Sequence, residues 1–423
     1  MMNPKRLKRI ITCQGSIQLV SALAAANFRA RRHQMPLEYE DYLVIYSLGH
    51  YIPPGQMDDF VNFIKRMAQL LGTWERIVYI SEEQLQAILE RMAHWGPSRI
   101  FNLLYEIVGT ENADEIYLGK NWLFANKLFM CAYKSAQKLC YGDANGVYFS
   151  AQYFLPDRAQ SSNTPRRGYR IWFSYLRGQL GRAKRKLEIL AQMRTSLADI
   201  DFDISYLLLP DAFGETPPME TIKLDRMDYL AILQKLQILL DNKYIAALRQ
   251  YTADSPVCIL LSSTFSEAGR MTRENEIAAY SEFIQSQGVP NNSVLLIKPH
   301  PRDDHLKIQQ LRSALEGQFA HIIVLSEPSL FFLPFEVLFM EVFLEPSQTR
   351  DVRILTFSSA CLLLEYLFNA PCHIGFGQTI TSKFFYESWI NNRIKHELDL
   401  ITAVERVRNQ SSAVGPLPLY DRS

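Results

Sequence analysis

The residues of this chain best suited to group-transfer chemistry sit at the ends of short apolar runs. In Val294-Leu-Leu-Ile-Lys-Pro-His-Pro-Arg302 such a run stops at one histidine held between two prolines. Each proline fixes its own φ and restricts the residue before it, so a helix is excluded at His300. The imidazole is expected at a rigid strand end, where open α/β sheets bind ligands. Lys298 and Arg302 flank it with positive charge suited to an anion, and Pro299 and Pro301 wall the turn. Taken alone, the run is equally a strand that ends in a proline-rich turn.

Other runs give it company. In Phe357-Ser-Ser-Ala360 two serines lie between a strand and a helix. One serine suffices as an N-cap; the pair, Ser358 and Ser359, also suits a phosphate at a helix start. In Cys140-Tyr-Gly-Asp-Ala-Asn-Gly146 a glycine-bracketed turn presents Asp143, a candidate general base, although Gly, Asp and Asn are also ordinary turn residues. Gly15, Ser16 and Gln18 form the first strand-helix junction and are assigned to the floor of a cleft. There is no G-x-G-x-x-G there, so a dinucleotide site is unsupported. Ser263 follows a strand and Glu336 opens a helix after Pro334; both are candidates for a nucleotide pocket. His305, His321 and His373 show no metal-ligand spacing, and no metal site is expected.

The elements that must position these residues follow from periodicity. Strands are expected at 9–13, 41–46, 76–80, 115–118 and 138–141, with helices at 17–30 and 58–71 and one between the last two strands. This is the βαβ rhythm of a parallel, helix-covered sheet. Residues 157–193 break the rhythm with a loop-like Ser161–Gly168 and a basic amphipathic helix at 181–193. A solvated surface helix is its ordinary reading; a patch for anionic lipid or glycan is the sharper one. The rhythm resumes with strands at 203–209, 257–262, 294–297, 322–325, 352–356 and 372–375. Helices are expected at 309–315, 360–368, 384–398 and 400–408. The implied domains are 1–156 on the acceptor side, a connector at 157–200, a nucleotide-sugar unit at 201–380, and C-terminal helices and tail at 381–423.

Bulk properties exclude several classes. A chain of 423 residues is long for one core, so two Rossmann-like units are the default α/β architecture. A net charge of +1, without basic-aromatic interleaving, argues against nucleic acid as a partner. Six scattered cysteines read as reduced and buried, consistent with the cytoplasm. No apolar run reaches the roughly 18 residues of a membrane span.

In their order along the chain these residues resemble the bacterial sialyltransferases of the polysialyltransferase-like group and their lipooligosaccharide sialyltransferase relatives. The resemblance rests on Gly15 to Leu19 with Ala22-Leu23, on Tyr141-Gly142-Asp143 through Gly146, on Lys298-Pro299-His300-Pro301, and on Ser358-Ser359. It implies a GT-B fold, a CMP-activated sugar acid as donor, a glycan acceptor and no essential metal. It implies that Asp143 takes the acceptor proton, that His300 contacts the CMP phosphate and assists its departure, and that Ser358 and Ser359 bind that phosphate. It also suggests a role in capsule or lipooligosaccharide biosynthesis; the basic helix at 181–193 suggests peripheral contact at the inner face of the membrane. The family's acidic motif usually continues with a second acid or a glycine, whereas here Ala144-Asn145 intervene before Gly146.

Those residue types suit the reaction independently. Cleaving a CMP-sugar bond leaves negative charge on phosphate, which preorganised donors stabilise. A carboxylate on the opposite face accepts the incoming hydroxyl's proton, which gives inversion. Alternatives from the same residues are a transferase of CMP-Kdo, of a UDP- or GDP-sugar or of polyol phosphate, or a silent GT-B module that binds glycan or nucleotide.

Overall fold

The structure, a computed structural model, describes residues 6–32, 38–46, 55–142, 146–148, 194–214, 217–344 and 351–414. The first sheet has seven strands in the order β3-β2-β1-β4-β5-β6-β7. They are β1 (Arg6–Cys13), β2 (Glu38–Tyr46), β3 (Arg76–Ile80), β4 (Glu115–Leu118), β5 (Gln137–Cys140), β6 (Ile204–Leu207) and β7 (Glu220–Lys223). Every pairing is parallel. The apolar runs are nearly continuous because both faces are covered. Along β1, Ile11 and Cys13 enter one apolar cluster while Ile10 enters another on the opposite face.

The helices of this half are α1 (Ser16–Arg32), α2 (Met57–Leu71), α3 (Glu82–Met92), α4 (Pro97–Val108) and α5 (Phe124–Ala132). Local chemistry sets their ends. Ser81 and Gln84 close a reciprocal capping box at the start of α3. Pro97 opens α4, and Gly109 ends it in a left-handed conformation. Helix α1 packs on the Ile11 face and α5 on the Ile10 face. The chain therefore leaves β1 and β4, which are neighbours, toward opposite faces. Their strand ends form a topological switch point.

The second sheet has five parallel strands in the order β10-β9-β8-β11-β12. These are β8 (Val257–Leu261), β9 (Val294–Lys298), β10 (His321–Val324), β11 (Val352–Thr356) and β12 (Cys372–Ile374). Helices α6 (Arg226–Leu236) and α7 (Asn242–Thr252) precede it. Around it lie α8 (Arg273–Ser286), α9 (His305–Leu315), the one-turn α10 (Pro328–Phe331), α11 (Phe335–Phe343), α12 (Ala360–Phe368), α13 (Gly377–Phe384) and α14 (Glu387–Val414). Helix α8 covers one face and α12 the other, so β8 and β11 form a second switch point. Two parallel Rossmann-like sheets in tandem are the arrangement expected of a GT-B architecture.

Three expectations differ from the structure. Strand β6, read with the second unit, pairs in the first sheet, as does β7, which has no counterpart in the sequence reading, so 201–223 belongs to the first half. Periodicity marks a strand but not which sheet edge receives it. The two helices expected at 384–398 and 400–408 are one, α14. Helices α3, α4, α6, α7, α8, α10 and α13 have no counterpart in the sequence reading. The basic helix expected at 181–193 lies outside the described residues.

The halves share one apolar cluster that includes residues of α1, α2, β8, α11 and α12. Phe332, after α10, packs its ring 5.6 Å from that of Phe60 and 5.9 Å from that of Phe63, both on α2. Ser21 of α1 and Tyr229 of α6 share a buried hydrogen bond of 3.0 Å. Helix α14 returns to the first half, where Arg406 donates to the Ala212 carbonyl at 3.3 Å and Lys223 donates to Gln410 at 2.9 Å. All six cysteines are free thiols, five of them buried.

Candidate active site

His300 follows β9 and is half-buried. Its backbone N–H donates to the Asp303 carboxylate at 2.8 Å and to the Ser262 hydroxyl at 3.0 Å. The Asp303 N–H returns a bond to the His300 carbonyl at 2.8 Å. The backbone N–H of Arg302 donates to His300 Nδ1 at 3.2 Å. A backbone N–H can only donate, so Nδ1 is an acceptor and the neutral ring carries its proton on Nε2. Burial, then the positive charges of Arg302, Lys307 and Lys298, hold the imidazole well below the ordinary histidine pKa. His300 is therefore a neutral ring offering one N–H.

An ionic cluster lies under this turn. Lys307, 1% exposed at its side chain, sits 2.7 Å from Asp303, 2.9 Å from Glu267 and 3.1 Å from Glu276. It also donates to the Ser263 carbonyl at 3.0 Å, and the Ser263 N–H donates to the Tyr280 hydroxyl at 2.7 Å. The loop after β8 and the turn after β9 are thus held by the same ammonium. Burial pushes Asp303 up to about 6 despite that ammonium, while its three carboxylate partners raise the pKa of Lys307 itself. The sequence reading missed Asp303, Lys307 and Glu276. The available signal was Asp303 and Lys307 at i, i+4, directly after the His-Pro turn.

Lys298 points inward. Its ammonium donates to the carbonyls of Leu330, at 2.7 Å, and Phe331, and burial lowers its pKa to about 7. Glu336 is also buried, at the start of α11, and is raised to about 7 by burial, with Lys298 opposing the shift. Through the Leu330 and Phe331 carbonyls, Lys298 ties the strand end that carries His300 to the segment that carries Phe332.

Ser358 and Ser359 follow β11, and both are half-buried. The Ala360 N–H approaches Ser358 Oγ at 3.4 Å, while Ser359, at the cap of α12, makes no side-chain cap bond. Strands β9 and β11 flank β8, and their last residues, Lys298 and Thr356, both pair with Leu261, so these strand ends stand about two strand spacings apart, roughly 10 Å. Arg393 of α14, 2% exposed, bonds Glu397 at 2.6 Å and the Phe357 carbonyl at 3.2 Å. Glu397 accepts the N–H groups of Phe376 and Gly377, each at 2.9 Å. One ion pair thus clamps the loops after β11 and β12, and the sequence reading gave no sign of it.

In the first half, Asp143 lies outside the described residues, as do Ala144 and Asn145. The turn that presents it is described up to Gly142 and from Gly146. Gly142 has φ +82°, and a Cβ there would lie 2.8 Å from the Val147 carbonyl oxygen. Gly146 has φ +61° and packs on Leu208. Both glycines are required by close approach in a left-handed conformation. In the junction after β1, Gln18 folds back so that its side chain accepts the Gln14 N–H at 2.8 Å, and Ser16 is buried. Gly15 has open space where a Cβ would stand.

Residues 171–345 match the model of the alpha-2,8-polysialyltransferase (POLYST) family. That family consists of glycosyltransferases using CMP-sialic acid. The match covers less than half of the chain; it includes His300 but neither Asp143 nor the paired serines. No curated protein matches. Among solved structures, a putative UDP-N-acetylglucosamine 2-epimerase from Listeria monocytogenes aligns over 98% of this chain and 93% of its own, at 13% identity and a TM-score of 0.45. An alpha/beta-galactoside alpha-2,3-sialyltransferase from Photobacterium phosphoreum aligns over 95% and 97%, at 12% identity and a TM-score of 0.41. Among the described residues no helix is long and apolar enough to cross a membrane.

Proposed function

We propose that the protein is an inverting glycosyltransferase that moves sialic acid, or a related nonulosonic acid, from a CMP donor to a glycan acceptor. The reading rests on His300: a neutral imidazole, its Nδ1 occupied by the Arg302 N–H, at a strand end inside the stretch matched by the polysialyltransferase family. Its Nε2–H donates to the CMP phosphate, with the hydroxyls of Ser358 and Ser359 approaching from the other side of β8. Ser263, Pro299 and Pro301 shape the nucleotide side, while Lys298 and Glu336 act from behind it.

The acceptor hydroxyl oxygen attacks the anomeric carbon as the bond from that carbon to the phosphate oxygen breaks. CMP leaves with the bonding electron pair. The hydroxyl proton passes to Asp143, and the configuration inverts because attack and departure occupy opposite faces. Donors fixed before the reaction stabilise the charge gathering on phosphate without reorganising. No metal enters this scheme, in which His300 and the serines carry the phosphate charge.

The test is a thermal-shift comparison of CMP, UDP and GDP, followed by CMP release from CMP-sialic acid with and without sugar acceptors. CMP alone should raise the melting temperature, and His300→Ala should lose both that shift and turnover. Asp143→Ala should keep the shift and lose turnover. A response to UDP but not to CMP would overturn the donor assignment. Full transfer by Asp143→Ala would place the base elsewhere.

A further inference from the structure

We infer, resting on the reading above, that Lys298 is a positioning residue of the transfer reaction: its ammonium touches no ligand but fixes the register between the two halves, and with it the approach of acceptor oxygen to anomeric carbon. The side chain points the right way for this. Along β9, Leu295 and Ile297 enter the cluster confined to the second half, whereas Leu296 enters the cluster that both halves share. Strand side chains alternate, so Lys298 follows Leu296 into the shared interior, where it is 7% exposed.

Two struts leave this point for the first half. In the first, Lys298 Nζ donates to the carbonyls of Leu330 and Phe331 at 2.7 and 2.5 Å. These are the last carbonyls of the single turn α10, and a helix end supplies no partner of its own for them. The lysine thus holds the turn, and Phe332 directly after it reaches across to α2. Its ring stands edge-on to Phe331 at 4.9 Å and meets Phe60 and Phe63. In the second strut, buried Glu336 at the start of α11 acts through its charge on both Lys298 and Tyr229. Tyr229 shares its hydrogen bond with Ser21 of α1, and α6, which carries Tyr229, packs on α1, α2 and α11. Both struts end on the helices that follow β1 and β2, and both start one proline away from His300.

The register matters because the proposed reaction is divided between the halves, with the phosphate donors on the second and Asp143 on the first. Reacting atoms must approach to about 3–3.5 Å, and a misplacement of about 1 Å costs up to about a hundredfold in rate. A fault in the struts therefore lowers kcat while the nucleotide contacts stay as they were.

The test combines steady-state transfer from CMP-sialic acid to sialyllactose with amide hydrogen exchange of the same proteins. Lys298→Met should lower kcat about tenfold or more and keep the donor KM within about twofold. It should also speed exchange in α2 while leaving α8, on the far face of the second sheet, unchanged. Phe332→Leu, which keeps the lysine and both carbonyls, should give the same split. The double variant should fall no more than about twofold below the worse single, because both side chains act through one contact. Losses that multiply in the double variant, a donor KM raised about tenfold at unchanged kcat in Lys298→Met, or α2 exchange equal to the wild type would each overturn the inference. A wild type that neither responds to CMP nor transfers sialic acid overturns the donor reading instead, and α2 exchange then decides alone whether Lys298 joins the halves.

Discussion

Replacing Lys307 by methionine should destabilise the protein strongly, and by an amount that depends on pH. The ammonium lies within 3.1 Å of three carboxylates, of Asp303, Glu267 and Glu276, and is 1% exposed. Methionine keeps most of the volume and removes the charge, leaving buried carboxylates without their cation. Breaking a buried pair from one side costs about 3–5 kcal/mol. In a chain of this size that is a fall in melting temperature of about 3–6 °C. The sign of the pH dependence follows from Asp303, whose folded value of about 6 lies above its ordinary 3.8. An acid raised on folding stabilises fully below its unfolded pKa and loses that contribution as pH rises through its folded one. Lys307 lowers the folded pKa, so removing the ammonium raises it further. The deficit of the variant should therefore be largest above about pH 6 and shrink toward pH 4. Urea melts of both proteins at pH 5 and pH 8 read this directly. A deficit under about 1 kcal/mol, or one that is larger at pH 5, would refute the reasoning. Because Asp303 holds the His300 N–H, the CMP thermal shift should fall in the same variant.

Gly142→Ala should cost about 2–4 kcal/mol, from φ +82° together with a Cβ only 2.8 Å from the Val147 carbonyl oxygen, and it should abolish turnover before it abolishes CMP binding; circular dichroism melts and a transfer assay check this. Arg393→Met removes the cation from buried Glu397 and should lower stability by about 3–5 kcal/mol, with Arg393→Lys recovering part of it in the same melts. Gly375→Ala, whose Cβ would lie 2.3 Å from the Glu397 carboxyl carbon at φ +77°, should disturb the same clamp and reduce the CMP thermal shift.

Much of the framework was legible in the residues. Strand β11 and helix α12 start and end where the apolar runs and the two serines place them, and Asn369 ends the helix in a left-handed conformation. The His-Pro strand end was readable because proline geometry is local. What stayed hidden was non-local. Strand β6 looks like any short buried strand, and only its partner shows that it extends the first sheet. Lys298 reads as a cation beside a ligand, but its ammonium is spent on two carbonyls brought up by α10. Arg393 and Glu397 lie on a helix some 35 residues beyond the loop that they hold, at a spacing that reads as an ordinary i, i+4 pair. The side chains that support the site come from elements whose arrival no local pattern announces.

Phe332 inserted between Phe60 and Phe63 carries a consequence for how the molecule comes apart. Each sheet has an apolar cluster of its own on one face, but the cluster on the other face runs from one sheet into the other, so neither lobe covers both faces of its sheet alone. Heating should produce one calorimetric peak rather than two, and a fragment cut between β7 and β8 should aggregate instead of behaving as an autonomous nucleotide binder.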